Sequence, residues 1–220
     1  MATPPSPTPA TRGLLTTGLV GGWLAGSAFG LILLVFLVTG VASVAGRTNA
    51  FDSFAMSAGV VAFLSLLLWV GGMVCCIIGW FGLAALYRPA IVVAWLGIAT
   101  MVLALVTPIQ APFIRSCDGL RMFISFAVLV LMGFYAAQIF VWMRTGAARG
   151  AARLTMVGSA LVVASALFGL VMMWAVPEEP SLLYIIAAYA APTGGLLAHL
   201  GSGLAMARER ATVKALQSFD

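Results

Sequence analysis

Six stretches of this chain, Gly13–Gly46, Phe54–Leu86, Ala90–Thr107, Met122–Met143, Leu154–Val176 and Leu182–Ala207, contain no Asp, Glu, Lys or Arg. A segment of roughly 20 predominantly apolar residues is what an α-helix needs to cross a hydrocarbon core about 30 Å thick. A soluble chain would interrupt such runs, because about a quarter of its residues are charged; here only 8% are, against 63% hydrophobic. A membrane β-barrel would instead alternate polarity over about ten residues per strand, and none of these stretches alternates. The expected fold is all-α, a polytopic transmembrane helical bundle of six spans.

Residues 1–12 hold four prolines among small polar residues and read as a disordered leader. Residues 13–207 form the transmembrane domain and 208–220 a short tail. The first span ends in the small-residue run Val41-Ala42-Ser43-Val44-Ala45-Gly46, a pattern that signal peptidases accept, and cleavage there would leave five spans. The apolar run before it is about twice the usual length of a signal core, which favours a retained helix. Orientation follows from basic residues. Arg12, Arg88, Arg144, Arg149, Arg153, Arg208, Arg210 and Lys214 fall on one side, Arg47, Arg115 and Arg121 on the other, so both termini are expected in the cytoplasm. Trp23, Trp80, Tyr87, Trp95 and Trp142 are expected at the inner headgroup zone, Trp174 and Tyr184 at the outer one. The same asymmetry explains the net charge of +5 without a nucleic-acid partner. The Arg-, Ala- and Gly-rich composition suggests a GC-rich bacterial genome, and the Arg asymmetry favours the inner membrane.

Gly18, Gly22, Gly26 and Gly30 recur every four residues along one face of the first span, and Gly71, Cys75 and Gly79 repeat the spacing in the second. Small residues let backbones approach closely in lipid, where no hydrophobic drive brings helices together. Two readings compete: an interface for a second copy or a partner subunit, and packing within the bundle itself. Adjacent Cys75 and Cys76 point to different helix faces and read as small apolar fillers. Cys117 stands alone in the outer loop.

Arg115 and Arg121 flank Asp118 in that loop. They form a candidate anion contact, against the simpler reading of a solvated charged face. The sixth span carries Pro192-Thr193-Gly194-Gly195 near its middle, then His199 and Ser202. Proline followed by two glycines is expected to break the helix and free backbone groups, and an intramembrane His is a functional candidate by default. His199, Thr193 and Gln138 are therefore the expected lining of any pathway.

The remaining chemistry is sparse. A single His excludes a bis-histidine haem, and all six acidic residues lie outside the spans, so neither metal hydrolysis nor ion-coupled pumping has its usual groups. No cofactor or metal is called for, and the bilayer is the evident partner. The first functional reading is a non-catalytic structural, assembly or accessory membrane component. The second is a small permease or channel for a neutral solute passing the broken sixth helix. A third makes His199 and Ser202 the residues of an intramembrane enzyme.

Overall fold

A computed structural model describes residues 8–44, 50–110, 117–145, 149–175 and 182–217. They form six helices: α1 (Pro9–Val44), α2 (Ala50–Ala84), α3 (Ala90–Gln110), α4 (Cys117–Thr145), α5 (Arg149–Ala175) and α6 (Leu182–Gln217). Among the described residues α1 to α5 are each long and apolar enough to cross a membrane, so the chain is a multi-pass helical membrane protein. The apolar residues surround the helices rather than striping one face, as expected where lipid is the solvent. The first helix begins earlier than the Gly13 boundary. Thr8 caps it, its Oγ1 accepting from the Thr11 N–H at 3.4 Å, and Pro9 takes the first helical position, where its missing N–H costs nothing.

Each helix packs against its neighbours in chain order, and α6 closes back on α1. The six therefore make a ring of antiparallel helices. Along α1 and α6 the pairs run from Gly18 with Met206 through Gly22 with Gly203 to Gly26 with Leu200. They end where the Tyr189 hydroxyl donates to the Phe36 carbonyl at 2.9 Å. One end of the ring carries Tyr87, Arg144 and Lys214, hereafter the Tyr87 end; the other is the Thr107 end.

The closest seams are made by glycine. A Cβ on Gly18 would stand 2.6 Å from the Gly79 Cα, one on Gly22 2.6 Å from the His199 carbonyl oxygen, and one on Gly26 2.8 Å from Leu200 Cδ2. Only Gly30 has ordinary clearance, 3.8 Å to Leu196. The ladder in α1 is thus taken up by the chain's own α2 and α6. Gly18, Gly22 and Gly26 therefore support the internal-packing reading. Gly71 lies outside these internal seams. A Cβ there would meet nothing within 4 Å, whereas one on Gly72 would stand 2.8 Å from the Ala25 Cα and one on Gly21 2.7 Å from the Cys75 backbone. Of the second expected set, the Cys75 backbone and Gly79 lie in the seam, and Gly72 takes the place of Gly71.

Two further expectations change. α6 is not broken: it runs as one helix with Pro192 inside it. Gly194 and Gly195 serve close approach instead: a Cβ on Gly194 would stand 2.7 Å from the Gly158 carbonyl oxygen, and one on Gly195 2.7 Å from the Phe29 ring. Trp23 and Trp95 face outward, half exposed, as headgroup anchors would, but Trp80 and Trp142 are fully buried and pack on each other inside the ring at 5.5 Å between centroids. Indole rings fill space that smaller side chains would leave empty. The Tyr184 side chain lies outside the described residues.

Replacing Gly22 by Ala should lower the unfolding midpoint in mild detergent, since α1 and α6 must separate at a cost of about 1–3 kcal/mol. Gly71→Ala should be neutral, or stabilising by up to about 1 kcal/mol through helix propensity. Equal responses at the two positions would show that the seam is not tight.

Candidate functional site

The inside of the ring divides into two halves of different chemistry. Toward the Tyr87 end it is filled. Phe134, Tyr135, Trp80, Trp142 and Met206 are all fully buried there, and two polar rungs cross the lumen from α4 to α6. In the first, the Tyr135 hydroxyl meets His199 Nε2 at 3.1 Å. In the second, Ser202 donates to Gln138 Oε1 at 3.3 Å. Tyr135 and Gln138 are three residues apart on α4, and His199 and Ser202 three apart on α6. Side chains at that spacing share a helix face, so the rungs stack one turn apart.

His199 is held on every side. Its ring stacks on Phe29 at 5.5 Å with 13° between planes, and its Nδ1 lies 3.9 Å from the Cys76 Sγ. A neutral imidazole has one N–H and one lone pair. The contacts through Cys76, His199 and Tyr135 therefore all run in one direction: whichever neighbour donates to the ring, the ring donates to the other. Close to these rungs three polar atoms have no protein partner: Gln138 Nε2, Trp142 Nε1 and the Ser159 hydroxyl.

Toward the Thr107 end the lumen is hollow. A cavity of about 590 Å³ extends from Met73, Phe134 and Tyr135 to Ala62, Thr107 and Ile124, with Phe29, Pro192 and Val162 in its wall. From Tyr135 to Ile124 along α4 is about 16 Å of helix rise. Its volume falls within the range of small-molecule sites, about 300–1,000 Å³. The described lining is almost wholly apolar and holds no charged residue. Two hydroxyls in it, Ser65 Oγ and Thr100 Oγ1, are buried without a partner.

Of the residues expected to line a pathway, the fold brings His199 and Gln138 together in the filled half. Thr193 is not with them: its hydroxyl donates to its own helix at the Tyr189 carbonyl, 2.7 Å away. Pro192 does line the cavity. Ser202 and His199 bond to different α4 side chains. Arg115 lies outside the described residues, while Arg121 stands on the first turns of α4. Among the described residues no group of three His, Cys, Asp or Glu is placed to hold a metal. Sequence reasoning missed Tyr135, Cys76, Ser65 and Thr100. The matched three-residue spacing of Tyr135 with Gln138 and His199 with Ser202 was a usable signal for the first of these. Nothing in the sequence pairs Cys76 with His199 across 123 positions.

At the Tyr87 end the α6 extension docks on the α2–α3 turn. The Tyr87 hydroxyl donates to the buried Glu209 carboxylate. Burial raises the Glu209 carboxyl above its ordinary value, and the hydrogen bond from Tyr87 opposes this only in part.

Tyr135→Phe should destabilise the fold by about 1–3 kcal/mol, because it leaves a buried imidazole nitrogen unpaired. The penalty should shrink in a His199→Phe background, and a double-mutant cycle with no coupling would dismiss the rung. Glu209 makes a pH prediction. Its folded form holds a proton more tightly than its unfolded form, so its contribution is complete below the ordinary carboxylic-acid range and is lost as pH rises through the raised value. Glu209→Gln should flatten the decline that sets in above the ordinary carboxylic-acid range and raise the unfolding midpoint at alkaline pH. No protein-family model matches this chain, and no curated protein or solved structure does.

Proposed function

We propose that this multi-pass membrane protein is a non-catalytic component of the membrane that holds a neutral, apolar small molecule inside its helix ring. The carrying observation is the cavity of about 590 Å³, walled by apolar side chains from all six helices. A charged solute entering such a wall would lose its hydration without compensation. Packed aromatic rings occupy the Tyr87-end half, which favours a chamber over a continuous pore. If the Tyr87 end is cytoplasmic, as the basic residues suggest, the chamber lies in the outer half of the bilayer.

The non-catalytic part of the reading draws on the same residues that an enzyme would need. Ser202 donates to Gln138, and His199 is engaged by Tyr135 and Cys76. No base is thereby placed on the serine. A purely structural or assembly role has less support than the glycine spacing suggested, since those glycines pack internally.

Native mass spectrometry on protein extracted in mild detergent tests the proposal. The wild type should retain a neutral apolar molecule. Ala127→Trp, which fills the chamber from α4, should lose it, while Leu129→Trp on the half-exposed outer face of the same helix should keep it. Equal retention in both variants would place the molecule on the lipid-facing surface and sink the chamber reading.

A further inference from the structure

Two hydroxyls of the chamber wall lack the backbone bond that several other hydroxyls of these helices make; Ser159, outside the described lining, is the other described hydroxyl buried without a partner. Thr107 donates to the Leu103 carbonyl at 2.6 Å, Thr155 to the Ala151 carbonyl at 3.2 Å, and Thr193 to Tyr189. This is how a Ser or Thr in an apolar helix ordinarily satisfies itself. Ser65 and Thr100 do not. They are 2% and 5% exposed, both residues line the cavity, and their oxygens have no partner and are themselves covered, so a side-chain rotation is what presents each hydroxyl to a ligand. An unpaired buried hydroxyl is costly. Two in one apolar chamber, from two different helices, point to something that enters it.

We infer that the chamber recognises an uncharged amphiphile, an apolar chain bearing a hydroxyl or carbonyl oxygen, through the hydroxyls of Thr100 and Ser65. This rests on the chamber reading above and adds the ligand's chemistry to it. Ser and Thr hydroxyls both donate and accept, so they pair with an alcohol or a carbonyl. The absence of a charged group from the described lining leaves a carboxylate, phosphate or ammonium headgroup with no counter-ion. The two hydroxyls also stand at different depths. Ile77 of α2 packs at Gly97 of α3, which sets Thr100 level with Met73 near the filled half. Ser65 lies two turns further toward the Thr107 end, about 12 Å by helix rise. An elongated ligand can meet both, and a compact one reaches only one.

The test uses the full chain in phosphatidylcholine vesicles with two photoactivatable probes, a long-chain diazirine alkanol and the same diazirine chain ending in a methyl group. Cross-links are mapped by peptide mass spectrometry and scaled to labelling at lipid-facing Leu129. On the wild type the alkanol should label Leu103, Ala127 and Leu131 about three- to tenfold better than the hydrocarbon, the worth of one net hydrogen bond. The Ser65→Ala, Thr100→Val double variant should lose that preference while its hydrocarbon labelling is unchanged. Its unliganded unfolding midpoint should not fall, since no bond within the protein is removed. Equal labelling by the two probes in the wild type, or a preference that survives the double variant, overturns the hydroxyl recognition and leaves the chamber intact. Labelling of Leu129 with none of the chamber wall by either probe overturns the chamber itself.

Discussion

Everything in this bundle depends on how closely α1 can approach α2 and α6. In lipid the tails outside a helix are as apolar as the side chains on it, so burying leucine gains little and association rests on close contact. Glycine supplies that contact. Gly18 and Gly79 meet backbone to backbone, as do Gly22 and Gly203, and Gly158 with Gly194 extends the same device to the α5–α6 seam. Close seams on this side of the ring hold α2, α1, α6 and α5 as a rigid wall. The wider contacts of α3 and α4, where Gly97 and Gly133 meet side chains rather than backbone, leave room inside.

The room is filled unevenly because the large side chains are placed unevenly. Trp80, Trp142, Phe134 and Tyr135 all point inward near the Tyr87 end, while small Ala62, Ala104, Ala127 and Ala191 line the other half. The polar rungs lie in the filled half. A buried hydrogen bond contributes little net stability, but a wrongly paired one costs far more. Tyr135 with His199 and Gln138 with Ser202 therefore act chiefly to fix the rotation and height of α4 against α6. A slip of one helix along the other would strand four polar groups at once.

Several local features were legible in the sequence. The six uncharged runs gave six helices, five of them long and apolar enough among the described residues to cross a membrane. The start of α1 was legible but misread. Thr8-Pro9 is a helix-start signal, yet the prolines around it suggested disorder. Pro192-Thr193-Gly194-Gly195 was misread in the opposite sense. Proline in a membrane helix is tolerated when neighbours pack around it, and the two glycines admit those neighbours.

The sequence by itself determined class and local structure, because the bilayer forces every backbone hydrogen bond inside the segment that makes it and an apolar run then has only the helix to adopt. It also determined that α1 would pack tightly somewhere, since a four-residue glycine repeat has little other use. Only the tertiary structure decided where. Which helix meets Gly22, which ring stacks on His199, that Cys76 and Tyr135 flank one imidazole, and that Ser65 and Thr100 share a hollow all depend on the order and rotation of helices around the ring. Those follow from side-chain fit between segments far apart in the chain, and the pattern within any one segment does not encode them.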